Sequence, residues 1–155
     1  MNESRTTCRI CHSSEIQSVL SLGTTPLADA LRQKEQLQEV ESKFPLNVAF
    51  CPRCSLVQLL ETVPPDVLFC QDYPYYSSFS PALLQHSRAN AVDLIKSRRL
   101  NANSLVVELA SNDGYLLKNF IEHGIPVLGI DPAEGPARAA EKIGVPTMCT
   151  FFGEN

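Results

Sequence analysis

The 155-residue sequence has no concentrated basic segment and no long apolar run. Its 13 lysine and arginine residues are spread along the chain against 17 acidic residues, which gives a formal net charge of -4. Nucleic-acid phosphates require a dense basic surface, so we expect no nucleic-acid partner. No apolar stretch reaches the roughly 20 residues that a membrane span needs, so we expect no membrane partner either.

The N-terminus lacks the features of a secretion signal. Residues 1–7 are polar, and no apolar h-region follows them. We therefore expect no signal peptide and a cytoplasmic location, where the six cysteines stay reduced. Paired cysteines in a reducing compartment indicate metal ligands rather than disulfides.

Four of the six cysteines form two C-x-x-C pairs, Cys8 with Cys11 and Cys51 with Cys54. Each pair brings two thiolates onto one small turn, and two such turns supply the four soft ligands of a tetrahedral Zn²⁺ site. Because four thiolates leave no position for water, we expect a structural site. Strands predicted at 46–50 and 56–60 flank the second pair, as in a zinc-ribbon-like domain.

Three further features of the sequence give weaker indications. His12 follows a ligand cysteine, but a residue there more often completes the turn, so we leave it out of the ligand set. Cys70 and Cys149 stand alone, and we interpret both as small buried hydrophobic residues. Between the pairs, we predict an inserted lobe made of a strand at 16–22, a loop at 23–27 and a short helix at 34–41.

The second half of the sequence alternates helices with apolar strands. Ser80 and Pro81 are typical of a helix N-cap and first helical residue, and this helix should run to about residue 98. The elements predicted after it are a strand at 104–109, a helix at 114–123, a strand at 126–131, a helix at 134–143 and a third strand from residue 146. The first two strands are continuously apolar, as expected of parallel strands buried on both faces.

This β-α-β-α-β order predicts an α/β fold that opens like a doubly wound, Rossmann-like sheet. We place a zinc-binding domain with an aromatic segment at residues 1–80. A partial cofactor domain then follows at residues 81–155.

The turn after the first parallel strand is a candidate cofactor site, because ligands of doubly wound folds bind beyond the carboxyl ends of the strands. The candidate residues are Glu108, Ala110, Asn112, Gly114 and, at the end of the second strand, Asp131. An acid in the last position can accept hydrogen bonds from both hydroxyls of a ribose. The pattern therefore favours an adenosine-containing cofactor.

The composition of this turn bears on which cofactor it binds. A dinucleotide pyrophosphate needs several glycines for close approach to backbone N–H groups, whereas this turn has only Gly114. S-adenosylmethionine carries no phosphate and suits the turn better. As alternatives, Asn112 and Asp113 can cap the following helix, and Asp131 can cap the helix after Pro132.

Several motifs taken together resemble one known family. They are Cys8-x-x-Cys11, Leu22-Gly23-x-x-Pro26-Leu27-Ala28, Phe50-Cys51-Pro52-x-Cys54, the stretch 75–80, the string at 107–116 and residues 129–133. In this combination the sequence is similar to zinc-containing, S-adenosylmethionine-dependent C-methyltransferases that act on nucleotide-linked deoxysugars. The resemblance implies a zinc domain, a cofactor domain and a further C-terminal domain.

The resemblance also implies a reaction on a nucleotide-sugar substrate. In this family a general base removes a proton beside a keto group of the sugar, and the enolate takes the sulfonium methyl. The resemblance implies a catalytic role for Tyr76 and, more weakly, for His86, with packing between domains as the alternative for the tyrosine. The family's proposed base lies beyond residue 155, so we expect an N-terminal fragment that could associate with a separate C-terminal portion.

Two other functions stay open on the sequence alone. The chain could be a stand-alone zinc-binding interaction module without catalytic activity, which would not bind S-adenosylmethionine even at millimolar concentration. It could also be a dinucleotide oxidoreductase, which would prefer NAD to S-adenosylhomocysteine in parallel titrations.

Overall fold

The computed structural model describes residues 3–69 and 73–153, and the chain divides into two compact units, Met1–Leu68 and Phe69–Asn155. Cys70, predicted to be buried, lies outside the described residues. The boundary at residue 80 between zinc-binding and cofactor regions stays a prediction. In the described part of the chain, no helix combines the length and the apolar character needed to cross a membrane.

The first unit consists mainly of antiparallel strands. In chain order its elements are β1 (Glu3–Ser4), β2 (Gln17–Pro26), β3 (Lys43–Phe50), β4 (Val57–Leu59), β5 (Glu61–Thr62) and α1 (Pro65–Leu68). Strands β2, β3 and β4 form one sheet in that order, and β1 pairs with β5. The second cysteine pair sits in the turn between β3 and β4, where Phe50 pairs with Val57. The predicted strand, cysteine turn and strand are therefore present.

The lobe between the cysteine pairs is a long hairpin, which differs from the prediction. Strand β2 continues to Pro26, so the loop predicted at 23–27 is wrong over most of its length. Pairing with β3 across two register shifts keeps this segment extended despite its glycine and proline. The helix predicted at 34–41 shrinks to a single 3-10 turn, Lys34–Gln36, because Leu37 and Val40 are exposed and pack on nothing that would stabilise it.

The first unit buries very few apolar side chains. Among its described residues, the buried apolar ones are Cys8, Ala49 and Cys51. Strand β2 is exposed along nearly its whole length, including Val19 and Leu22. Stability from burial scales with the apolar area removed from water, at about 25 cal/mol per Å², so this core contributes little. The unit needs another source of stability.

The second unit contains a parallel sheet. Its elements are a 3-10 turn (Ser77–Phe79), α2 (Pro81–Arg98), β6 (Val106–Leu109), α3 (Lys118–Ile121), β7 (Val127–Ile130), α4 (Glu134–Lys142) and β8 (Thr147–Met148). The strands pair in parallel in the order β6-β7-β8, with α3 and α4 in the two connections. The chain thus has the predicted alternation of strands and helices. Whether it belongs to a Rossmann-like methyltransferase domain stays a prediction.

Helix α2 begins and ends where the sequence predicts. The Ser80 hydroxyl accepts a hydrogen bond from the Leu83 N–H at 3.2 Å, and Pro81 is the first helical residue. Arg99 ends the helix in a left-handed conformation, with φ 55°. By contrast, the helix predicted at 114–123 is regular only over Lys118–Ile121, because non-helical turns occupy the residues before it.

The prediction that the first parallel strand is buried on both faces is wrong. Strand β6 lies at an edge of the sheet, and Leu105, Val107 and Leu109 are 62%, 46% and 49% exposed. The buried core lies on the other face, where Val106 packs against it; the core consists of Ala91, Leu117, Phe120, Ile125, Val127, Ala140 and Val145. Cys149 is exposed rather than buried, because it lies beyond the end of the short edge strand β8.

Gly114 and Gly124 offer a matched pair for testing the packing of the second unit. Both have left-handed φ values, 75° and 71°, but a Cβ at Gly114 would lie 2.9 Å from Val145 Cγ2, while a Cβ at Gly124 would meet nothing within 4 Å. We expect Gly124→Ala to cost about 1–2 kcal/mol of unfolding free energy from backbone strain. Gly114→Ala should cost about 1–3 kcal/mol more, because it also overpacks the core.

Urea unfolding of the second unit, followed by far-UV circular dichroism, measures both losses. Equal losses at the two positions would contradict the packing role of Gly114.

Candidate metal centre and candidate cofactor site

Four cysteine sulfur atoms converge in the first unit. The Sγ atoms of Cys8, Cys11, Cys51 and Cys54 all lie within 4.8 Å of one another. The Cys8–Cys54 and Cys11–Cys51 sulfur pairs are each 3.5 Å apart. Tetrahedral Zn–S bonds of about 2.3 Å place sulfurs about 3.8 Å apart, so the donor set fits a Zn²⁺ ion.

The two C-x-x-C turns share one backbone geometry. In each turn the residue after the second cysteine is left-handed, with φ 58° at His12 and 62° at Ser55. The N–H of that residue donates to the carbonyl of the first cysteine, at 3.1 Å for Cys8 and 2.8 Å for Cys51. His12 therefore completes its turn and is not among the clustered ligand atoms.

Electrostatics within the cluster favour a cation. The N–H of Cys11 lowers the pKa of the Cys8 thiol to about 6 by stabilising its thiolate. The Leu56 N–H also lowers the pKa of Cys54, but desolvation and the neighbouring sulfurs outweigh it and raise that pKa to about 12. Four thiolates at this distance repel one another, and the positive charge of a divalent cation between them offsets this repulsion.

Polar contacts attach the first cysteine turn to the strands around the second. Gln58 of β4 is buried; its Oε1 accepts the Arg9 N–H at 2.9 Å and its Nε2 donates to the Thr7 carbonyl at 3.3 Å. The Arg9 guanidinium donates to the Leu59 carbonyl at 2.9 Å and to Thr62 Oγ1 at 3.1 Å. The sequence analysis missed these residues. The only local signal was a polar residue between two apolar ones on a short strand.

In the second unit, the turn after β6 is tied to the end of β7 by one carboxylate. Ala110 and Asn112 are both left-handed, with φ 58° and 49°. The Asn112 N–H donates to Asp131 Oδ2 at 2.7 Å, and the Ala133 N–H donates to Asp131 Oδ1 at 2.8 Å. Asp131 is only 5% exposed. It does not cap the next helix, because α4 begins at Glu134 with Ala133 as N-cap.

Glu108, at the carboxyl end of β6, has a buried oxygen with no hydrogen-bond partner among the described residues. Burial, and to a smaller extent the nearby charge of Asp131, raise the pKa of this carboxyl to about 7. Asp113 Oδ1 is also buried without a partner in the described part of the chain. Unpaired buried acceptors beside a strand end are the kind of groups that a bound ligand with donor hydrogens would satisfy.

The aromatic segment, residues 73–79, is anchored to this turn. Asn112 Oδ1 accepts the Ser77 N–H at 2.8 Å, and its Nδ2 donates to the Tyr75 carbonyl at 3.1 Å. Asp113 Oδ2 accepts the Ser78 N–H at 3.2 Å. The alternative that Asn112 and Asp113 cap the following helix is therefore wrong, because their side chains bind this segment and α3 has no side-chain cap.

Tyr76 reaches the first turn of α4. A Cβ on Gly135 would lie 2.8 Å from the Tyr76 hydroxyl oxygen, and the Tyr76 ring is 5.4 Å from the ring of Phe79. His86 is exposed on α2, and no hydrogen bond or ion pair of its side chain occurs within the described ranges. Catalytic roles for both residues stay predictions.

The structure brings together some of the predicted cofactor residues and not others. Glu108, Asn112 and Asp131 lie around the adjoining ends of β6 and β7. Ala110 is exposed at the same turn. Gly114 faces Val145 and Ala140 in the core, so it has a packing role whatever it does for a ligand.

Two comparisons with known proteins bear on the zinc-binding region and on the chain as a whole. Residues 8–69 match the family described as "Putative zinc binding domain". The chain is also 41% identical over 146 residues to C-methyltransferase NovU from Streptomyces niveus. That alignment covers 94% of this chain and 34% of the relative, so the chain spans about a third of the relative's length. The resemblance to a zinc-binding domain over residues 8–69 and to a C-methyltransferase over most of the chain is confirmed.

The metal centre can be tested with Cys51→Ser. We expect the variant to lose zinc and to unfold residues 1–60, because the small apolar core cannot replace the metal. The helical signal of residues 81–155 should largely persist. Elemental analysis and amide hydrogen exchange measure the two effects. Cys149→Ser, which changes an exposed cysteine outside the cluster, is the control and should keep its zinc.

Glu108 makes the stability of the second unit depend on pH in a predictable direction. Its pKa of about 7 when folded exceeds the ordinary value of 4.5, so between these values the folded state holds a proton that the unfolded state has released. Stability should therefore fall as pH rises through this window. Glu108→Gln should reduce the difference in unfolding free energy between about pH 5 and about pH 8.

Urea unfolding at the two pH values measures this difference, with Glu141→Gln as an exposed control. A pH dependence identical to that of the wild type in Glu108→Gln would contradict the assignment.

Proposed function

We propose that this chain is the zinc-binding and methyl-donor-binding portion of an S-adenosylmethionine-dependent C-methyltransferase acting on a nucleotide-linked keto-deoxysugar. The observation that carries the proposal is the pair of acids, Glu108 and Asp131, at the carboxyl ends of two adjacent parallel strands. The similarity to a C-methyltransferase over most of this chain supports the same proposal.

The strand ends suit an adenosine-containing methyl donor. In the proposed Rossmann-like domain, β6 and β7 are the first two strands, and their carboxyl ends are where such folds bind ligands. Asp131 would hold the ribose hydroxyls through acceptor positions not used by its two N–H bonds. The unpaired oxygen of Glu108 would accept from the ammonium group of the donor. S-adenosylmethionine supplies an electrophilic methyl group when bound.

The turn is less suited to a dinucleotide. Pyrophosphate binding relies on glycines that let backbone N–H groups approach the phosphates closely. Here two of the three left-handed positions of the turn hold Ala110 and Asn112 rather than glycine, and the Asn112 N–H already donates to Asp131. Glu108 and Asp131 would also repel phosphate charge. These contacts support S-adenosylmethionine over NAD.

The substrate side of the proposal rests on the aromatic segment. Tyr76 would contact the sugar or its keto oxygen, and His86 is kept as a weaker candidate. The full reaction also needs a general base that removes the proton beside the keto group. We assign this full reaction to the whole enzyme rather than to Tyr76 and His86 alone. We place the protein in the cytoplasm, where a reducing environment keeps the cluster's thiols available to a metal.

The cofactor assignment can be tested at Asp131. We expect Asp131→Ala to weaken S-adenosylhomocysteine binding by roughly 1–3 kcal/mol, because hydrogen bonds to a charged group are lost. Isothermal titration of the zinc-loaded chain measures the change. Glu134→Ala, which removes an acid paired with Arg138 in α4, is the matched control and should bind normally.

Parallel titration with NAD separates the competing functions. Tighter binding of NAD would favour an oxidoreductase, and binding of neither compound would favour an interaction module.

A further inference from the structure

The side chain of Asn112 is bonded at both its oxygen and its nitrogen to one segment of backbone. It is 8% exposed, its Oδ1 accepts the Ser77 N–H, and its Nδ2 donates to the Tyr75 carbonyl. An asparagine amide has two acceptor positions and two donor hydrogens, and half of each is already used by this one segment of backbone. These bonds give Asn112 a structural role that does not depend on direct contact with a cofactor.

Asn112 instead joins two parts of the candidate site. Its backbone N–H donates to Asp131 at 2.7 Å, while its side chain holds residues 75–77 at 2.8 and 3.1 Å. The bonds to Asp131 and to the Ser77 N–H are both buried, so water does not compete readily with them. One residue thus links the acid assigned to the ribose with the segment that carries Tyr76.

A second contact holds the same segment from the other turn. The Tyr76 hydroxyl lies against Gly135 in the first turn of α4, which follows the Asp131 turn along the chain. Asp131 in turn accepts the Ala133 N–H just before that helix. The aromatic segment therefore contacts both turns that flank the strand ends, and displacement of either turn changes where Tyr76 sits.

We propose that Asn112 is a positioning residue that couples cofactor binding at Asp131 to the placement of the aromatic segment, residues 73–79; this rests on the function proposed above. A ligand that binds Asp131 restrains the turn after β6, and Asn112 passes that restraint to the backbone of Ser77. Linkage is reciprocal, so a segment held by Asn112 also favours ligand binding. The methyl donor then orders the substrate side of the site.

Two substitutions separate the bonds of Asn112. Asn112→Gly keeps the left-handed backbone accessible but removes both side-chain bonds. Asn112→Asp keeps an acceptor for the Ser77 N–H and removes the donor to Tyr75. Asn119→Ala is the control, because Asn119 is also buried and its amide donates to the Tyr115 and Leu116 carbonyls rather than to the aromatic segment.

Amide hydrogen exchange at Ser77 and Ser78, measured by NMR with and without S-adenosylhomocysteine, tests the coupling. In the wild-type chain the ligand should slow exchange at both amides by at least about fivefold, the lower end of typical coupling factors. Asn112→Gly should abolish this effect and weaken ligand binding by a similar factor. Asn112→Asp should retain part of the protection of Ser77, and Asn119→Ala should leave the ligand effect intact.

The outcomes distinguish the two proposals. If the wild-type chain does not bind S-adenosylhomocysteine, the proposed function is overturned and the coupling falls with it. If the wild type binds the ligand but exchange at Ser77 does not respond, or responds equally in Asn112→Gly, the inference alone is overturned.

Discussion

The candidate site in the second unit depends on one buried carboxylate. Asp131 accepts one N–H from the turn after β6 and one from the turn after β7, so a single side chain ties the two turns together. A buried carboxylate is costly unless such donors stabilise its charge. The same charge acts on Glu108, whose raised pKa reflects first its own burial and then Asp131. Asp131 therefore shapes the geometry of the two turns and adds to the raised pKa of Glu108, whose larger cause is burial.

Features encoded by neighbouring residues were predictable from the sequence. Ser80 and Pro81 mark the start of α2 because capping involves groups only three residues apart. The two cysteine pairs were recognisable because metal ligands require close spacing in the chain, and the structure brings their sulfurs together. The alternation of strands and helices after residue 104 was also visible, since each element has its own periodicity.

Features that depend on distant partners were not predictable in this way. The extension of β2 to Pro26 depends on its pairing with β3, and the exposure of Val107 depends on which side of the sheet the helices occupy. Asn112 looked like a helix cap because its side-chain partners, Tyr75 and Ser77, are more than thirty positions away. Gln58 was overlooked for the same reason, since its partners precede it by about fifty residues.

The nearly absent apolar core of the first unit has a thermodynamic consequence. Heat-capacity change on unfolding comes mainly from newly hydrated apolar surface, and this unit has little to expose. Its stability should consequently vary only gently with temperature, while depending logarithmically on the concentration of free zinc. Cellular metal buffering, rather than warming or cooling, would then decide how much of this unit is folded.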